Sequence, residues 1–238
     1  MKKAIVIGAS SGIGRELAKI LSHNNYQVAL VGRREKLLSE LQQELPEKSY
    51  LKSFDISILD KGMDHLKDLI REMNGVELII ISAGCGFINH SLEHEKEQKT
   101  IDVNVSGFTA MINVAYKHFL NQGKGHIVGI SSVSALKGGY DGPAYSASKA
   151  YISNYMEGLR IKAKKGGRRI YITDIRAGLV DTAMAKGEGL FWVAPKEKAA
   201  SQIYKAISNK KEIAYITKRW RLIAYLLKIM PNFIYQRL

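Results

Sequence analysis

Lys2-Lys3-Ala4-Ile5-Val6-Ile7, then Gly8-Ala9-Ser10-Ser11-Gly12-Ile13-Gly14, then Arg15-Glu16-Leu17-Ala18-Lys19-Ile20-Leu21: this opening stretch decides the architecture. An apolar run from Ala4 leads into three glycines, after which Ile13, Leu17, Ile20 and Leu21 recur at helical spacing. The pattern reads as a buried strand, a tight turn and an amphipathic helix. Such a turn lets backbone N–H groups close on a pyrophosphate, and the helix N-terminus adds a favourable field. The spacing is Gly-x-x-x-Gly-x-Gly, not the Gly-x-Gly-x-x-Gly of the usual dinucleotide fingerprint. A tight turn without a ligand is the competing reading. Three glycines at a strand-to-helix junction favour the nucleotide.

The rest of the chain repeats the alternation. Strand-like apolar runs fall at 3–8, 26–32, 49–54, 76–82, 125–131, 169–176 and 212–217. Helical patterns fall near 12–23, 34–44, 58–73, 93–120, 144–165 and 195–209. Strands alternating with helices predict an α/β fold, a Rossmann-like doubly wound parallel sheet of about seven strands with helices on both faces. A length of 238 residues suits one such domain. We expect residues 1–217 to form one nucleotide-binding domain and 218–238 a basic amphipathic extension of it.

Composition narrows the setting. No apolar run reaches the length of a membrane span. Met1-Lys2-Lys3 followed by apolar residues imitates a signal peptide, but the run is short and enters the glycine turn directly, so it reads as the first strand. The single cysteine, Cys85, excludes an internal disulfide and suits a reducing compartment, so a cytoplasmic location is expected. Cys85 itself reads as a small space-filler, since no base accompanies it. The six histidines show no metal spacing. The formal net charge is +14, and residues 196–238 hold ten Lys/Arg against Glu197 and Glu212. A second basic run, 160–169, reads as a solvated helix end. Basic clusters suggest nucleic acid or anionic lipid. No nucleic-acid motif accompanies them, so nucleic acid is not an expected partner.

Tyr145-Ser146-Ala147-Ser148-Lys149 carries the chemistry. Residues four apart on a helix share a face. A phenol titrates near ~10, and an ammonium held beside it favours the phenolate. Tyr145 and Lys149 therefore form a candidate general acid/base with its own tuner. Ser132, with Ser131 and Ser134 beside it, reads on its own as a simple turn residue.

At these residues the chain resembles the classical short-chain dehydrogenase/reductase family. The resemblance rests on Gly8, Gly12 and Gly14, on Ser82-Ala83-Gly84 after the fourth strand, and on Asn104, Ser132, Tyr145 and Lys149, and it covers roughly residues 3 to 217. Three departures stand out. Ile7 occupies a frequent Thr position, Ile81-Ser82-Ala83-Gly84 replaces Asn-Asn-Ala-Gly, and Arg176-Ala177-Gly178 replaces a frequent Pro-Gly. None removes a proton-transfer group.

The resemblance implies an oxidoreductase moving a hydride between a nicotinamide dinucleotide and a carbonyl or alcohol. It implies that Tyr145 protonates the developing alkoxide, that Ser132 donates a hydrogen bond to the carbonyl oxygen, that Lys149 also holds the nicotinamide ribose, and that Asn104 interrupts a helix and holds a relay water. It implies that Ser10, Ser11 and Ile13 join the glycines around the cofactor, with Ala83, Gly84, Gly178, Val180 and Thr182. It makes Asp55 an acceptor for the adenine amino group, an N-cap being the alternative. It makes 183–195 a substrate lid, an ordinary packed connection being the alternative. The family is commonly dimeric or tetrameric, so a homo-oligomer is expected.

The second strand selects the cofactor. NAD binding needs a carboxylate near its end, yet Val28-Ala29-Leu30-Val31-Gly32-Arg33-Arg34 has no acid before Glu35. Arginines can fork onto a 2′-phosphate, so NADP(H) is expected, with Arg33 as first partner and Arg34 as second.

Residues 218–237 mix Lys218, Arg219, Arg221, Lys228 and Arg237 with Trp220, Tyr225 and aliphatics. Two readings stand: a helix on the inner face of a membrane, or a lid or subunit contact over the substrate pocket. An apolar or lipid-like substrate is the matching expectation. The alternative function is a non-catalytic nucleotide-binding relative acting as sensor or scaffold, against which the complete Asn104, Ser132, Tyr145 and Lys149 set speaks.

Overall fold

A computed structural model describes residues 1–184 and 191–237. Its seven strands are β1 (Lys2–Ile7), β2 (Tyr26–Gly32), β3 (Tyr50–Ser53), β4 (Leu78–Ile81), β5 (Lys124–Ser132), β6 (Arg169–Ala177) and β7 (Ile213–Ile216). They form one parallel sheet in the order β3-β2-β1-β4-β5-β6-β7.

Alternation within each strand builds two cores, because successive side chains point to opposite faces. Ile5, Ile7, Ala29, Val31, Ile79, Ile81 and Ile127 face one layer. Ala4, Val6, Val28, Leu30, Leu78, Ile80 and Val128 face the other. The strands therefore read as unbroken apolar runs, as a sheet covered on both sides requires. On the second layer lie α1 (Gly12–His23), α2 (Glu35–Glu44) and α7 (Lys196–Ser208). On the first lie α3 (Leu59–Glu72), α5 (Phe108–Gln122) and α6 (Pro143–Lys165).

The helix predicted over 93–120 is two helices joined by a wider turn. α4 (His94–Ile101) passes into a π segment, Asp102–Gly107, before α5. Two further helices, α8 (Trp220–Ile229) and α9 (Asn232–Tyr235), follow β7. Among the described residues no helix is long and apolar enough to cross a membrane.

β1 has β2 on one side and β4 on the other, so the chain's direction of winding reverses there. In an open parallel sheet the ligand crevice lies outside the carboxyl ends of the strands at that reversal. The glycine turn, Ser82-Ala83-Gly84, Ser132 and Gly178 all follow the carboxyl ends of strands around it.

Candidate active site

Gly8 has φ +96, and a Cβ there would fall 2.5 Å from the Ala83 nitrogen, so the turn after β1 presses directly on the segment after β4. Gly14 packs as closely: a Cβ would meet the Gly8 carbonyl oxygen at 2.2 Å. These two contacts leave no room for side chains. Ser11 caps α1 without a side-chain hydrogen bond, so the first-turn N–H groups keep their donors for another acceptor. Gly12, at φ +56, would set a Cβ 3.1 Å from Thr182 Cγ2, which places Thr182 beside the turn.

The arginines after β2 divide. Arg34 reaches the turn: its NH2 donates to Ser10 Oγ at 2.8 Å and Ser11 Oγ at 2.6 Å, and its Nε to Ser10 Oγ at 3.2 Å. Arg33 pairs with Asp55 at 3.3 Å, both partly exposed. Asp55 also accepts from Ser57 N at 2.9 Å and Ser57 Oγ at 2.8 Å. Burial works to raise the Asp55 carboxyl, but the Ser57 hydrogen bonds and Arg33 prevail and hold it below its usual range. Asp55 thus caps the turn that precedes α3. The arginine touching the cradle is Arg34, the second of the two in our sequence reading. An anion at the turn would meet free backbone donors and a guanidinium together, a donor set suited to a phosphate group.

Tyr145 and Lys149 stand on α6 with Lys149 Nζ 5.6 Å from the Tyr145 ring centroid. Lys149 is buried and donates to the Ile130 carbonyl at 2.9 Å. Burial lowers its pKa to about 8, with Cys85 and Asp174 working the other way. The phenol behaves contrary to expectation. Burial raises the Tyr145 pKa above 10.0, and a hydrogen bond with Ser132 only partly offsets it. The Lys149 ammonium stands over the Tyr145 ring and gives no offsetting pull on the phenol.

Ser132 ends β5. Its Oγ accepts from Ser134 N at 3.1 Å and lies 3.1 Å from the Ala177 carbonyl, to which it donates. Asn104 is wholly buried in the π segment. Its Oδ1 accepts from Cys85 N at 2.9 Å, while its Nδ2 donates to Cys85 O at 2.7 Å and to Ser148 Oγ at 2.9 Å. This bidentate grip on the N–H and C=O of one residue fixes the strand-to-loop segment 83–86 against α6.

Several contributors escaped the sequence reading. A Cβ on Gly86 would strike the Tyr145 ring at 2.5 Å, so Gly86 is the seat of that ring. Ser148 receives the Asn104 amide. Behind Lys149 lies a buried cluster. Asp174 accepts from Ser131 Oγ, from Ser153 Oγ at 2.7 Å and from Arg176 Nε at 2.9 Å, and Arg176 NH1 reaches Tyr215 OH at 3.1 Å. The signal available was Asp174 and Arg176 two apart in an apolar strand, hence on one face. The Cys85 thiol is pushed up by burial, which agrees with a space-filling role.

Val180 and Ala194 bridge in parallel, and Asp181 N and Ala194 N bond to Ala194 O and Leu179 O at 2.9 and 3.0 Å. These contacts pin the base of the predicted lid. Residues 185–190 of it lie outside the described residues. Gly178 carries the Trp220 ring, as a Cβ would fall 2.3 Å from it.

The pattern that defines a family described as short chain dehydrogenase matches residues 2–190. A protein of Staphylococcus epidermidis named as an uncharacterized oxidoreductase is 33% identical over 188 residues, covering 78% of this chain and 81% of the relative. One of Myxococcus xanthus, named likewise, is 32% identical over 188 residues, covering 77% and 74%. Among solved structures, a short-chain dehydrogenase from Streptomyces avermitilis superposes with a TM-score of 0.82 at 21% identity over 95% of this chain and 91% of its own. One from Sphingobium yanoikuyae, in complex with NADPH, gives 0.80 at 19% identity over 98% and 97%. With the sheet order, the glycine turn and these sequence matches in agreement, the chain belongs to the short-chain dehydrogenase family of oxidoreductases.

Proposed function

We propose that this protein reduces an apolar carbonyl compound with NADPH, or oxidises the matching alcohol with NADP, using Tyr145 as general acid/base. The observation that carries the reading is the seating of the Tyr145 phenol. Its ring lies on Gly86, Ser132 offsets part of the rise in its pKa, and Lys149 stands over the ring.

The bound dinucleotide supplies the hydride. Every other task falls to this chain. A carbonyl oxygen between Ser132 Oγ and the phenol receives two hydrogen bonds, which grow stronger as negative charge develops there. Turning the Ser132 proton to that oxygen gives up one bond to Ala177 O. The phenol, held neutral by burial, delivers its proton to the forming alkoxide. Lys149, with a pKa near 8, lies close enough to neutrality to return a proton. Asn104 orients the segment 83–86 on which the ring rests. Arg34 and the first turn of α1 hold phosphate groups, and Thr182 and Val180 flank the opposite side. The NADPH complex of the Sphingobium protein and the 5-hydroxy-NADP complex of the alcohol dehydrogenase from Thermococcus sibiricus support the phosphate-bearing cofactor. A homodimer or homotetramer is the assembly that family habit favours. NADPH oxidation measured against a panel of ketones, sugars and acyl thioesters tests the reading. Silence across the panel, with NADPH bound, would turn us to the nucleotide sensor.

A further inference from the structure

α8 is apolar on two sides. Trp220 and Ala224 face inward and are buried. Leu222, Tyr225, Leu226 and Ile229 stand at i, i+3, i+4 and i+7 and face outward, with Leu222 60% and Ile229 76% exposed. That spacing is one continuous stripe. A surface helix ordinarily turns polar residues to water, so this stripe expects a cover.

The stripe is not isolated. Phe233 and Ile234 of α9 extend it at one end. At the other, Phe191 and Trp192 are exposed and pack on Trp220, with ring centroids 5.3 and 6.4 Å from it. Those two residues come from the loop pinned beside Val180. The tail is also tied to the segment between Ser132 and Tyr145. Lys137 Nζ donates to Met230 O at 3.2 Å and Asn232 Oδ1 at 2.9 Å, and Tyr235 OH donates to Gly138 O at 2.7 Å. Trp220 itself rests on Gly178, one residue beyond the carbonyl that Ser132 bonds. The exposed apolar face therefore rims the catalytic mouth.

Charge identifies the occupant. Arg219, Arg221 and Lys228 border the stripe, Lys218 and Arg237 lie at its ends, and no acid occurs after Glu212. Long cationic side chains beside an apolar stripe reach up to phosphate while their stems lie on hydrocarbon. A second copy of this chain would bring the same cations against their own kind, which opposes self-association through this face. We propose that the rim formed by α8, α9 and Phe191-Trp192 docks on an anionic lipid surface, setting the mouth of the site against the membrane. Resting on the reductase reading, this assigns the substrate to carbonyl compounds carried in a bilayer.

Flotation of the full chain with phosphatidylcholine vesicles, alone or mixed with phosphatidylglycerol, tests the docking. The protein should float with the anionic vesicles at low salt and be released at high salt. Each cation removed should weaken binding about fivefold. Arg221→Glu/Lys228→Glu and, separately, Ile229→Glu should remain in the lower fraction while keeping their NADPH affinity and their oligomeric state. With a long-chain ketone dissolved in the vesicles, both variants should oxidise NADPH several-fold more slowly. With a water-soluble ketone they should match the unmodified protein. An unmodified protein that stays behind at low salt overturns the proposal, as does an Ile229→Glu variant that falls apart into smaller units. Flotation without turnover of any ketone leaves the docking face standing and refutes the reductase reading instead.

Discussion

Gly178 and Trp220 are packed face to face, with the indole where any side chain on residue 178 would have to go: a Cβ would lie 2.3 Å from the ring. Gly178→Ala therefore has to push Trp220, and α8 with it, off the end of β6. Overpacking of this kind costs about 1–3 kcal/mol. We expect a lower melting temperature, red-shifted tryptophan emission and faster tryptic cleavage at Lys218, Arg219 and Arg221. Unchanged cleavage would mean that the tail does not rest there.

The contacts of Arg34 with Ser10 and Ser11 set the order of importance of the two arginines. Charge-assisted hydrogen bonds contribute about 1.5–3 kcal/mol. Arg34→Ala should weaken NADPH binding about 10- to 100-fold and leave NADH nearly unaffected. Arg33→Asp should shift preference toward NADH by adding repulsion, although Arg33 is already engaged with Asp55. Titration of both cofactors decides it. Equal affinity of the unmodified protein for NADH and NADPH would dispose of the phosphate site.

Tyr145→Phe removes one oxygen from a ring that stays seated on Gly86. Turnover should fall about 100- to 10,000-fold. NADPH affinity should hold, because the fold of the glycine turn is untouched. Near-normal turnover on a substrate of the unmodified protein would show that the proton comes from elsewhere.

Lys149 should cost the unliganded protein stability. Its pKa falls from 10.5 to about 8 on folding. Between those values the unfolded chain binds more protons than the folded one, so stability rises as pH rises through that window, and the penalty is complete below it. The gap corresponds to about 3 kcal/mol at neutral pH. Tyr145 acts oppositely: its raised pKa keeps a proton in the folded state above 10.0, so stability falls again beyond that pH. Lys149→Met should thus raise the urea midpoint near neutral pH, lose the advantage by pH 10.5, and be inactive. A destabilised variant at neutral pH would contradict the burial cost.

The sheet was legible because burial on both faces makes each strand an apolar run, and the runs at 26–32 and 169–176 match β2 and β6 almost residue for residue. The glycine turn was legible because close backbone contact admits only glycine, as Gly8 and Gly14 show. Tertiary distances were not. Arg33 and Arg34 are neighbours in the chain, and only the path of the backbone after β2 decides which one reaches Ser10. The phenol's raised pKa follows from the burial of Tyr145, which a spacing of four cannot specify. Gly86 carries no signal in the sequence, because only the fold sets the Tyr145 ring against it. On α8 the sequence showed cations mixed with apolar residues, and only packing separates Trp220 and Ala224 from the outward stripe.

The π segment Asp102–Gly107 holds one residue more than a regular helical turn would. It is in effect an insertion, and it can be undone. Deleting a single residue between Asp102 and Gly107 would let α4 and α5 fuse into one regular helix, swinging Asn104 by about 100°. Its amide would then leave Cys85 and Ser148, and the segment beneath the Tyr145 ring would lose its anchor. A one-residue deletion, with every acid, base and glycine still present, should thus silence the site without touching a proton-transfer group.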